Sequence, residues 1–116
     1  MKPNAYILDW TMNEYGRLLA QLKEQGFAFQ KEEGKKHVRV DVPFFRWEKF
    51  ADLVQQHLNA PYNYVDISYP KENKLMIIFG AKKFVISNKE ENEAAKKWAI
   101  NQGLPTAQAD WSHWFK

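Results

Sequence analysis

The sequence predicts an α+β fold: a two-layer antiparallel sheet of about five or six strands, two helices on one face, and a third, C-terminal helix. Three observations lead there. Short segments with two-residue alternation or continuous apolar character are interleaved with three segments of three- and four-residue spacing. The resulting order, β-α-β-β-α-β-β-β-α, opens with the ferredoxin-like pattern β-α-β-β-α-β and extends it by a hairpin. The 116 residues suit one core and contain no linker, repeat or low-complexity tract, so 1–116 reads as one domain.

The elements follow in order. Tyr-Ile-Leu-Asp-Trp at 6–10 is an apolar run that suits a first strand. Thr11 and Glu14 have the spacing of a capping box. Met12, Tyr15, Leu18, Leu19 and Leu22 then share one helical face, and Gly26 is placed to close a helix over 12–25. Phe27 and Phe29 alternate with polar or small neighbours, as do Val38, Val40 and Val42, and the polar turn between them makes a hairpin. Pro43 suits the start of a second helix, in which Trp47, Phe50, Ala51, Val54 and Leu58 recur through about residue 59; Pro61 stops it.

Residues 62–69 read as a strand with Val65 and Ile67 on one face and Tyr64, Asp66 and Ser68 on the other. After the turn at 70–73, residues 74–79 are the most apolar strand, and 83–87 form its partner. Ser87 with Glu90, or Asn88 with Glu91 one residue later, caps a third helix over 89–102, closed by Gly103 and Pro105. Its apolar stripe is narrow (Ala94, Ala95, Trp98, Ala99), which places it outside the fold. An aromatic C-terminal segment, 106–116, carries Trp111, Trp114 and Phe115 at helical spacing.

Composition narrows the chemistry. Without cysteine there is no thiolate nucleophile, disulfide or zinc-finger ligation. No apolar run reaches the ~18 residues of a membrane span, and the Met-Lys-Pro-Asn start lacks an apolar signal core; a cytoplasmic protein with no membrane association is expected. The net charge of +3 is spread evenly, with 9 basic and 8 acidic residues before position 59 and 8 and 6 after it. Three arginines (Arg17, Arg39, Arg46) are few for phosphate or guanine recognition. The aromatic share, 16%, is high: rings beyond those a core needs are suited to a contact surface.

The glycines are scattered and form no phosphate loop. Gly16, inside the first helix, suggests close helix–sheet packing. His37, His57 and His113 stand at no ligand spacing from one another, and His57, near a helix end, complements the helix dipole. Asp9, Asp41 and Asp66, if gathered, would suit a hard cation for phosphodiester hydrolysis.

The stronger candidate is the polar sheet face, His37, Arg39 and Asp41 with Tyr64, Asp66 and Ser68, left open because helices cover only the other face. The second is Trp111, Trp114 and Phe115, which either complete the core or form a contact between molecules. The function expected is therefore a small, non-enzymatic binding or regulatory protein without cofactor. It acts on a protein partner or by self-association through the sheet face and the aromatic segment. Nucleic-acid binding through stacked bases is the alternative, and a metal-dependent phosphodiesterase ranks third.

Overall fold

Alternation about Ala5 and Ile7, both buried, sets the first strand, β1 (Asn4–Leu8). The computed structural model describes residues 3–32 and 34–111. β1 starts and ends two residues earlier than the apolar run implies, because Asp9–Thr11 turn into a 3-10 helix. The Thr11 hydroxyl donates to the Leu8 carbonyl (2.8 Å), so the capping box with Glu14 does not form. Met12 is instead extended and bridges Leu58, with Asn13 N–H donating to His57 O and Asn59 N–H donating to Thr11 O on either side. α1 (Tyr15–Glu24) therefore begins three residues later than predicted, after Glu14 in the left-handed region at φ 51°. Gly26, at φ 83°, closes it, and Phe27 N–H reaches back to Leu22 O.

β2 (Phe29–Lys31) and β3 (His37–Asp41) form the expected hairpin. A 3-10 turn over Phe44–Arg46 leads into α2 (Trp47–Gln55), which buries Phe50, Ala51 and Val54. The helix stops short of residue 59 because residues 57–59 pair with 11–13. β4 (Tyr64–Tyr69), β5 (Lys74–Phe79) and β6 (Lys83–Ile86) follow as a meander. α3 (Lys89–Asn101) takes the later capping register: the Asn88 side chain accepts from Glu91 N–H, and the Glu91 carboxylate accepts from Ser87 N–H, both at 2.9 Å.

The six strands form two antiparallel three-stranded sheets, β1-β3-β2 and β4-β5-β6, and not one continuous sheet. β1 and β4 run beside each other with Cα atoms within 8 Å, yet no ladder joins them. The backbone bonds that lead toward β4 are made by residues 57–59 with the turn after β1, one step removed from the strands themselves.

Two cores result. Ala5, Ile7, Val38, Val40, Val65, Ile67, Met76 and Ile78 meet Leu18, Leu22, Phe50 and Val54 of α1 and α2. The opposite phase of β5, Leu75, Ile77 and Phe79, meets Ala95 and Ala99 of α3 with Leu104, Ala109 and Trp111. The narrow stripe of α3 is thus enough to cover the second sheet's far face. Gly16 does not serve close packing: a Cβ there would meet nothing within 4 Å, because α1 turns this side to solvent. Among the described residues no helix is long and apolar enough to cross a membrane.

Candidate aromatic groove

Because β1 and β4 send alternate residues into the same core, their remaining residues share the other side. On β1 these are Tyr6 and Leu8; on β4 they are Tyr64, Asp66 and Ser68. The register continues this face across the first sheet, with Tyr6 opposite Arg39 and Arg39 opposite Gln30. The first sheet is bare here, whereas the second is covered by α3 and the chain after it. A step forms where the cover ends.

At that step lies a groove of about 480 Å³. One wall is Tyr6, Leu8, Trp10 and Thr11; the other runs from Tyr62 to Asp66; Leu104, Pro105 and Gln108 close the side toward α3. Trp10 is 63%, Tyr6 48% and Tyr62 46% exposed, an arrangement that leaves large apolar area in water around a concave surface. Trp10 is held through its backbone, since Asn59 Nδ2 donates to Trp10 O (3.0 Å) and Asn63 Nδ2 donates to Asn59 Oδ1 (2.7 Å). Gly103, at φ 104°, passes close to Tyr62, and a Cβ there would lie 3.5 Å from the ring.

Tyr64 is the half-buried hinge between groove and core. Its ring meets Phe79 (5.5 Å between centroids) and the edge of Trp111 (5.6 Å). Burial raises its hydroxyl pKa, the Asp66 carboxylate adds to the shift, and a hydrogen bond with the Trp111 side chain opposes it. The phenol therefore stays protonated throughout the neutral range. Asp66 is the one charged side chain in the groove lining, which contains no Lys or Arg.

The residues singled out from sequence are only partly brought together. Tyr64 and Asp66 line the groove, and Ser68 lies half-buried farther along β4. His37 stacks edge-on to Tyr6 (5.4 Å) and approaches the Glu32 carboxylate at 3.3 Å. Arg39 donates to Gln30 Oε1 at 2.8 Å, a bond made within its own sheet. Asp41 is at the far end of β3, beside a separate hollow of about 340 Å³ with Phe27, Pro43 and Arg46. There the Arg46 guanidinium lies 4.1 Å from the Phe27 ring centroid.

Trp111 is only 3% exposed and serves the second core, so it offers no ring to a partner; of the two readings of the aromatic segment, burial applies to this residue. Trp114 and Phe115 lie outside the described residues. The three carboxylates weighed for a cation, Asp9, Asp41 and Asp66, do not converge. Asp9 follows Leu8, which pairs with His37, while Asp41 pairs with Asn4 at the other end of the ladder, roughly 15 Å away at ~3.3 Å per residue. Among the described residues no three His, Cys, Asp or Glu side chains are placed to hold a metal ion.

Two buried polar residues matter more than the sequence suggests. His57 is 4% exposed; its Nδ1 lies 2.9 Å from Asn13 O and its Nε2 2.9 Å from Gln21 Oε1. It ties the turn after β1 to α1 from a buried position, not from the surface. Asn92, on α3, accepts from Trp111 N–H at 3.0 Å and donates to Asp110 Oδ1 at 3.4 Å, pinning the segment that flanks the groove. Tyr6, Trp10 and Tyr62 are the groove residues that sequence reading missed. The available signal was the phase of β1: Tyr6, Leu8 and Trp10 alternate with Ala5 and Ile7, but both phases are apolar and the run reads as wholly buried. Comparison with protein-family models, curated proteins and solved structures gives no match.

Proposed function

We propose that this protein is a non-enzymatic binding module whose open sheet face and aromatic groove capture an extended segment of a partner protein. One observation carries the reading: four rings, Tyr6, Trp10, Tyr62 and Tyr64, surround a solvent-open groove whose lining holds no Lys or Arg. Aromatic grooves of this kind suit extended, proline-containing chain, which gives up little conformational entropy on docking. A nucleic acid would bring phosphates to a lining without a cation, and phosphate neutralisation is the main source of affinity for such ligands. Arg39 and His37 next to Tyr6 keep base stacking on the bare sheet as the second reading.

The strand succession supports viewing the molecule as a ferredoxin-like arrangement, β2-β3-β1 beside β4, extended by β5 and β6, with the bare face as its working surface. The absence of cysteine suits a cytoplasmic setting, and the aromatic segment beyond Trp111 suits self-association as a further contact. The test is an NMR titration with extended proline-containing peptides and, separately, with a single-stranded oligonucleotide. Perturbations should centre on Tyr6, Trp10, Tyr62 and Tyr64 with the peptides and vanish in a W10A/Y62A variant. Oligonucleotide binding that weakens steeply with salt, mapped to Arg39, would replace this reading with the second.

A further inference from the structure

We infer that the hollow beside Asp41 is a second binding site, separate from the groove, for a small zwitterion: a free α-amino acid with an apolar side chain. The ligand's carboxylate meets Arg46 and its ammonium meets Asp41. The hollow, about 340 Å³, stands at the small end of ligand pockets, which run from roughly 300 Å³ upward, so it suits a molecule of amino-acid size. It holds two opposite charges that do not meet. The Arg46 guanidinium lies over the Phe27 ring and donates through Nη2 to Gln25 O, which fixes it against the end of α1. Asp41 is fixed separately: its N–H donates to Ala28 O, and it pairs with Asn4 at the end of the β1–β3 ladder. Among the described residues neither side chain forms an ion pair. Both are half-buried, so each has given up part of its hydration without gaining a counter-charge. The walls between them are apolar, from Pro3, Phe27, Ala28 and Pro43. Gly26 keeps the rim open, since a Cβ there would lie 3.6 Å from Arg46 Nη1. A ligand with one charge leaves the other group unmatched, whereas a zwitterion answers both with charge-assisted hydrogen bonds. The two prolines, fixed in φ, give its side chain a rigid apolar surface.

The test is an NMR titration of the full chain with three probes: L-leucine, L-leucinamide, which lacks the carboxylate, and N-acetyl-L-leucine, which lacks the ammonium. Leucine should shift the Gly26, Ala28 and Asp41 amides and leave the Trp10 indole N–H in place. Each blocked form should bind at least about tenfold more weakly, the scale of one lost charge-assisted hydrogen bond. Asp41→Asn should lower leucine affinity to that of N-acetyl-L-leucine, whose own affinity stays within about twofold because it never used the carboxylate. Arg46→Gln should likewise lower leucine to the level of leucinamide. If Arg46→Gln fails to fold, Asp41→Asn decides the matter, since the Asp41 side chain has no ion pair to lose. Silence of these amides at ~10 mM leucine, where even a ligand of Kd ~1 mM is mostly bound, overturns the site. Equal binding of all three probes, unchanged by Asp41→Asn, overturns it too.

Discussion

The two sheets are built from the same number of strands and treat their far faces in opposite ways. In β4-β5-β6 the central strand is buried on both faces: Met76 and Ile78 belong to the core with α1 and α2, and Leu75, Ile77 and Phe79 to the core with α3 and Trp111. In β1-β3-β2 one face alone is buried, and the other displays Tyr6, Arg39 and Gln30. A strand buried on both sides can be apolar throughout, as Lys74–Phe79 nearly is, whereas a half-covered one alternates. The difference teaches where to look for function, since the groove opens where full cover gives way to bare sheet.

Breaking the cover tests this contrast most severely. Trp111→Ala should cost about 3–5 kcal/mol, read from urea denaturation, because it empties a site that closes the second core; a loss below 1 kcal/mol would mean the second sheet does not depend on its cover. Asn92→Ala should cost about 1–3 kcal/mol by leaving the Trp111 N–H without its acceptor, and it should raise protease cleavage after residue 103.

Alkaline pH probes the first core. Tyr69 is fully buried, its hydroxyl donates to Val42 O (2.8 Å), and burial together with Glu72 pushes its pKa far above the ordinary 10.0. A raised pKa means the folded state holds the proton more tightly than the unfolded state does. The contribution is therefore complete below pH 10 and is lost as pH rises beyond it. Burial and the nearby Asp66 shift Tyr64 the same way. Melting temperature should hold steady to about pH 10 and fall above it, and Tyr69→Phe should flatten that fall.

Smaller effects belong to the exposed side. Gly16→Ala should stabilise α1 by about 0.5–1 kcal/mol, since its Cβ enters open space; a destabilisation would restore the packing role expected from sequence. Tyr6→Gln on the bare face should change stability by no more than ~0.5 kcal/mol, while weakening peptide binding measured by calorimetry.

The fold was legible where local chemistry dominates. Gly26 closes α1 as its backbone freedom allows, and the alternation of Val38, Val40 and Val42 fixes the buried side of β3; Pro61, by contrast, does not set the end of α2, which stops at Gln55. What was not legible depends on distant pairing. The bridge between Met12 and Leu58 delays one helix and shortens another, and no nearby residue announces it. The split into two sheets has the same origin. Of the expected site, Tyr64 and Asp66 reach the groove because strand phase predicts their side. Tyr6, Trp10 and Tyr62 escaped because aromatic residues in short runs read as core until the cover over each face is known.

The pin formed by Asn92 has a consequence for how the molecule responds to what it binds. Leu104, Pro105 and Gln108, which close one side of the groove, lie on the stretch between the end of α3 and the Trp111 amide held by Asn92. Whatever settles against that stretch and whatever holds its end share one free-energy account, and such coupling is reciprocal. A ligand in the groove should slow hydrogen exchange at the Trp111 amide. Loosening the pin should weaken the ligand by the same factor, so the amide acts as a built-in reporter of occupancy.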